Sequence, residues 1–145
     1  MNKRSIEIQM VTSWPIQDIV ELYQAGGWWK KTYDASQVPA LIKGSFAFAV
    51  AVKDDKAVGM GRILSDGISD AYIQDVVVLP RFQHQGIGKR IIETLTQHCF
   101  SRGIHWIALI AEPGSKEFYQ RLGFQVMTKY VPLRYQGEEE DVVSG

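Results

Sequence analysis

The stretch "YIQDVVVLPRFQHQGIGKRII", residues 72–92, constrains the fold of this chain more than any other. An apolar extended run, Val76 to Leu79, ends at Pro80, and a helical pattern begins close to Gly86 and Gly88. Proline has no amide hydrogen to continue a strand ladder, so the strand stops there. The amides that open a helix have no partners within it and sit at the positive end of its dipole, which suits such a corner to a phosphate group. Glycine, without a Cβ, lets a ligand approach the backbone and tolerates left-handed φ angles. A G-x-G at this place equally suits a tight turn with no ligand, and the residues alone leave both readings open. Other phosphate loops fit worse. Arg90 follows Lys89 where a Walker loop needs Ser or Thr, and Ile91 stands where the dinucleotide fingerprint needs a third glycine.

Around this corner the chain reads as alternating strands and helices. "SIEIQMV" alternates like a half-buried strand. "SWPIQDIVELYQAGG" predicts a helix with Ser13 as N-cap, Pro15 near its first turn and a stop at Gly26-Gly27. A shorter helix is expected in "DASQVPALIKG", weakened by Pro39. β-rich segments flanking "KDDK" predict an antiparallel hairpin. Val76 to Leu79 lack polar alternation, which predicts burial on both faces. Ile87, Ile91, Ile92, Leu95 and Cys99 form one stripe of a helix closed by Gly103. A buried strand in "IHWIALIAEP", a short helix in "GSKEFYQRLG" and an extended segment in "FQVMTKYVPLRY" follow. The acidic tail, about 137–145, reads as solvated. The expected order is β-α-α-β-β-β-α-β-α-β: an α/β (α+β) fold in a single domain, 1–145, with a mixed, mostly antiparallel sheet of six to seven strands and about four helices.

Composition narrows the function. Sixteen basic and sixteen acidic residues cancel, so no overall field draws the protein to nucleic acid or an anionic membrane, and any anion must be caught locally. Cys99 stands alone, which leaves no internal disulfide or multi-cysteine zinc site, and His98, Cys99 and His105 lack metal-ligand spacing. No bound metal is therefore expected. A reducing, cytoplasmic setting is the default. Neither a secretory signal pattern nor a spanning apolar run is present, so a soluble protein without a membrane role is expected.

Two motifs carry a family resemblance. A strand ending V-x-P, then [QR]-x-x-G-x-[GA], then a helix is similar to the acyl-CoA binding motif of the GNAT N-acetyltransferase superfamily; Gln83, Gly86 and Gly88 fill that pattern. "GSKEFYQRLGF" resembles the superfamily's late helix, with Phe118, Tyr119, Gly123 and Phe124 matching. The resemblance covers residues from near 5 to near 135.

It implies acetyl-CoA as co-substrate and a primary amine, of a small molecule or a peptide, as acceptor. The backbone of Val76, Val77 and Val78 would pair with the pantetheine arm. The amides of His84, Gln85, Gly86, Ile87, Gly88 and Lys89 would cradle the pyrophosphate, with Gln83 supporting the loop and His84, Lys89 and Arg90 adding contacts. Phe118 would lie at the coenzyme and Tyr119 would return a proton to the departing thiolate. Where some relatives place a glutamate base, this chain has Gln74, and the asparagine many relatives carry after the next strand is replaced by Ala111 and Glu112. Asp75 is the nearest carboxylate, and the choice between base and structural acceptor stays open, with a water route beside both. Strand alternation puts Ile73, Asp75 and Val77 on one face. Tyr23, Trp28, Trp29 and Tyr33 cluster in sequence, as an acceptor pocket or as packing. Exposed sheet edges allow a homodimer. A non-catalytic acyl-CoA-binding sensor and a nucleotide-phosphate binder of another α/β fold are the competing readings.

Overall fold

The computed structural model describes residues 5–137; the acidic tail beyond Gly137 lies outside the described residues. The chain divides into two compact units, one ending at Leu109 and the other starting at Ile110. The first unit contains β1 (Glu7–Met10), α1 (Ile16–Ala25), a 3₁₀ turn (Ala35–Gln37) leading into α2 (Val38–Gly44), and the strands β2 (Ala47–Lys53), β3 (Lys56–Ser65) and β4 (Asp70–Val78). A second 3₁₀ turn (Pro80–Phe82), α3 (Ile87–Ser101) and β5 (Trp106–Ala108) complete it. The second unit carries α4 (Lys116–Arg121). The sheet runs β1-β2-β3-β4-β5 in order, antiparallel at each junction except the last, where β4 and β5 are parallel. The class expected from the sequence is the class observed.

Five strands are present among the described residues instead of the expected six to seven. "FQVMTKYVPLRY" forms no strand: the Tyr130 amide folds back to the Met127 carbonyl, and Pro132 has no donor for a ladder. The strand expected over "IHWIALIAEP" is confined to Trp106–Ala108.

Helix α3 packs on β2, β3 and β4, while α1 packs on β3 and β4. Neighbouring residues of β3 point to opposite faces, and this separates the two layers. Gly61 faces α3, where an added Cβ would lie 2.9 Å from Ile91 Cγ2, whereas Arg62 turns to the α1 side. Ile19 and Leu22 on one side, and Ile91, Leu95 and Cys99 on the other, are fully buried with Phe48, Val50, Met60 and Ile63 of the sheet.

The hairpin turn is the one the sequence called for. Lys53 pairs with Lys56 across Asp54 and Asp55, at φ of 50° and 67°, and aspartate tolerates this left-handed region better than most residues. Ser13 does not cap α1, because Pro15 occupies the N-cap position without a side-chain bond. Asp18 ties the helix down instead, accepting from Trp14 Nε1 at 2.9 Å and from the Ala57 amide at 3.0 Å. Pro39 falls in the first turn of α2, where its missing amide hydrogen is not needed.

Candidate active site

Strand β4 is paired with β5 only through Asp70, Ala71 and Tyr72. From Ile73 onward it has β3 on one side and, among the described residues, no strand on the other. Val76, Val77 and Val78 are consequently half-buried, not covered on both faces as their sequence suggested; only Leu79 is fully buried.

The same strand carries a bulge. Met60 pairs with Val77 and Arg62 with Gln74, so the single residue Gly61 faces two residues, Asp75 and Val76. Asp75 adopts φ of 60°, a left-handed angle unusual for a residue with a side chain. This corrects the expected alternation. Gln74 and Val77, three apart, share a face through their partners Arg62 and Met60, while Ile73, opposite Ile63, and Val78, opposite Gly59, share the other.

Asp75 is held from two directions. Its Oδ2 accepts from Tyr23 Oη at 2.7 Å and from Arg62 Nε at 2.6 Å. Both partners of the ion pair are mostly buried, with side-chain exposures of 15% for Arg62 and 19% for Asp75. Arg62 Nη1 also donates to Ser45 Oγ at 3.3 Å. Burial, reinforced by the Asp75 carboxylate, drives the Tyr23 phenol far above its ordinary value and keeps it a donor. Arg62 and Ser45 were absent from the sequence reading. The one available signal was a lone arginine inside the otherwise uncharged run "AVGMGRIL".

Gln83 braces the loop after β4, donating from Nε2 to the Val78 carbonyl at 3.0 Å. His84 (φ 66°) and Gly86 (φ 81°) both turn left-handed, and Gly86 occupies the N-cap position of α3 with no side-chain cap. The first backbone bond of the helix runs from the Arg90 amide to the Gly86 carbonyl, so the amides of Ile87, Gly88 and Lys89 precede the intrahelical ladder. His84, Gln85, Gly86 and Lys89 are exposed, Gly88 is half-buried, and the Ile87 side chain is in the core. Arg90 turns elsewhere, donating from Nη2 to the Ile6 carbonyl. Lys53 and Arg81 both lie over the Phe82 ring, at 5.3 Å and 5.0 Å, adding positive charge near the loop.

Of the predicted acceptor residues, Tyr23 is buried, Trp28 and Trp29 are half-buried and Tyr33 is exposed. They form one chain of rings: Tyr23 to Trp28 at 6.2 Å, Tyr23 to Trp29 at 6.3 Å, and Trp29 to Tyr33 at 5.4 Å. The glycines before them form a defined helix stop, with the Trp28 amide bonded to the Tyr23 carbonyl and Gly27 at φ of 80°.

In the second unit, Tyr119 of α4 lies edge-on between Phe118 and Phe124, at ring distances of 4.9 Å and 5.7 Å. The Phe124 amide bonds back to the Tyr119 carbonyl through Gly123, at φ of 102°. Burial first, and the Glu112 carboxylate second, push the Tyr119 phenol up.

A mixed sheet with a bulged strand left open past its third parallel pair, followed by a glycine corner with helix-opening amides outside the intrahelical ladder, defines an α/β class of fold with a strand edge and a helix start side by side. The chain belongs to the acetyltransferase (GNAT) family, whose profile matches residues 9–124. It is 34% identical over 119 residues to GCN5-related N-acetyltransferase 2, chloroplastic, of Arabidopsis thaliana, a match covering 77% of this chain and 45% of that protein. The chain spans between about two-fifths and two-thirds of the length of the curated relatives it matches first, at 45%, 64% and 52%. A GNAT family acetyltransferase from Streptococcus pneumoniae superimposes with a TM-score of 0.77 at 27% identity, over 93% of this chain and 100% of that one. The aminoglycoside N-acetyltransferase AAC(6')-Iy, solved in complex with CoA, shares the fold at a TM-score of 0.71 and 17% identity, over 92% of this chain and 96% of that one.

Proposed function

We propose that this protein transfers the acetyl group of acetyl-CoA to a primary amine of a small molecule or peptide, by direct attack through a tetrahedral intermediate. The observation that carries the reading is the junction of the open β4 edge with the α3 amides beyond Gly86. A pantetheine arm carries amides that an unpaired strand edge can bond, and a pyrophosphate suits helix-opening N–H groups. Gly86, Gly88 and the cations Lys53, Arg81 and Lys89 support capture of that anion in a chain of zero net charge.

In the proposed reaction the neutral amine nitrogen forms a bond to the thioester carbon, and main-chain donors of the bulged strand stabilise the oxyanion. The carbon–sulfur bond then breaks. Tyr119 gives its proton to the leaving thiolate, and the proton that the attacking nitrogen sheds in becoming the amide returns through water to the phenolate; its raised affinity for that proton keeps Tyr119 a phenol at neutral pH. An alkylamine, with a pKa of about 10, must lose a proton to react. Water is the route we assign to it, because Asp75 Oδ2 already accepts two hydrogen bonds. Tyr23, Trp28, Trp29 and Tyr33 would line the acceptor side, where aromatic faces suit a cation or an apolar amine.

Thiol release from acetyl-CoA against polyamines, amino acids, arylalkylamines and peptides tests the activity. Thermal shift tests the coenzyme: at 100-fold its dissociation constant CoA should stabilise the protein by about 2.7 kcal/mol, with ATP and NAD giving less. CoA stabilisation without turnover of any amine would replace the enzyme with a sensor, and equal shifts from ATP or NAD would overturn the coenzyme assignment.

A further inference from the structure

The geometry points to Tyr23 and Arg62 as positioning residues for acetyl transfer: by fixing the Asp75 carboxylate from two sides, they hold the β4 bulge that sets how the main chain of Val76 to Val78 faces the coenzyme. The inference rests on the proposed use of acetyl-CoA.

Three observations combine. First, Asp75 takes a left-handed φ of 60° inside a strand, where neighbouring residues are extended. Aspartate tolerates this angle better than most side chains, but within an extended strand it is favoured only where contacts around it hold it. Second, the restraint is visible, since Asp75 Oδ2 accepts from α1 through Tyr23 and from β3 through Arg62. Third, the restrained residue lies at the point where one residue of β3, Gly61, faces two of β4. The extra residue rotates everything after it, and the strand from Val76 to Val78 is the stretch with an open edge.

Tyr23 has a second role in this arrangement. Its ring touches Trp28 and Trp29, so the residue that braces the bulge also anchors the aromatic chain after α1. Movement of those rings on acceptor binding would therefore reach the β4 main chain through one phenol, with no further element between them.

Two experiments on the full-length protein test this. In the first, backbone amide NMR follows a titration with CoA itself, in wild type and in the double variant Tyr23→Phe/Arg62→Met. In wild type, the amides of Val76 to Val78 and of Gln85 to Lys89 should both shift. In the variant, the valine amides should lose at least half of their CoA-induced shift while the Gln85–Lys89 amides keep theirs. Retention of both sets in the variant overturns the positioning role alone. Failure of both sets to shift in wild type sinks the coenzyme reading, and the positioning role with it.

The second experiment compares Asp75→Ala, Asp75→Asn and Asp75→Gly. Alanine removes the restraint and keeps the Cβ penalty, so kcat should fall at least tenfold with the KM for acetyl-CoA within about threefold. Glycine accepts the left-handed angle unaided and asparagine tolerates it, so each should recover at least fivefold over alanine. Equal loss in all three would assign Asp75 as a proton acceptor instead, and equal, undiminished activity would remove the bulge from the mechanism.

Discussion

Two residues with proposed roles separate backbone conformation from chemistry. Gly86 stands at φ of 81° with nothing within 4 Å of an added Cβ. Gly86→Ala should therefore cost about 1–2 kcal/mol through backbone strain alone, read from the urea midpoint, and should weaken CoA binding several-fold. Tyr119→Phe should do the reverse: at least tenfold slower turnover with coenzyme affinity and melting temperature nearly unchanged. Comparable kcat for Phe and Tyr at position 119 would take the tyrosine out of the reaction. The turn at Gly86, its place at the start of α3 and the place of Tyr119 on a short helix were legible because their signal is local, a fixed spacing between a proline, glycines and aromatics. The bond set on Asp75 was not, since it joins residues 23, 62 and 75, and which of them meet depends on strand register and on the added residue at the bulge.

At the scale of elements, the close approach of α3 to β3 depends on missing side chains. An added Cβ at Gly61 would lie 2.9 Å from Ile91 Cγ2 and 3.2 Å from Leu95 Cδ1 and Val76 Cγ2. Gly61→Ala should destabilise the protein by about 1–3 kcal/mol through overpacking, measured by denaturant titration, and a smaller change would show that α3 shifts freely. The junction of α1 with β3 depends on charge. Burial of the Asp18 carboxylate works against its ionisation, but the Ala57 amide, the Trp14 indole and Lys56 together hold its pKa below the usual value. A depressed carboxylate stabilises the fold above its unfolded pKa and loses that contribution as pH falls through the folded one. The stability gap between wild type and Asp18→Asn should be about 1–3 kcal/mol near pH 7 and close in acid; a gap that does not vary with pH would contradict the assignment. α1, the hairpin and α3 were readable from periodicity, their stops and a polar turn. The C-terminal extended segment was misread as a strand because Val126, Tyr130 and Val131 carry β-forming residue types, whereas here they are exposed.

Across the whole molecule, neither the early parting of β4 from β5 nor the half-burial of three valines beyond it could be read from residue types, since both depend on where a parallel pairing stops. An apolar run reads the same whether a neighbouring strand or a ligand will lie against it. That parting has a consequence for how the protein breathes. A coenzyme arm bonded along residues 73–78 would supply the rungs that β5 does not, so the ligand would serve as a temporary sixth member of the sheet. Deuterium uptake at those amides should slow at least tenfold on adding CoA while β2 and β3, already laddered on both sides, stay as they were. Uptake indifferent to CoA would mean that the gap is filled by something other than the substrate.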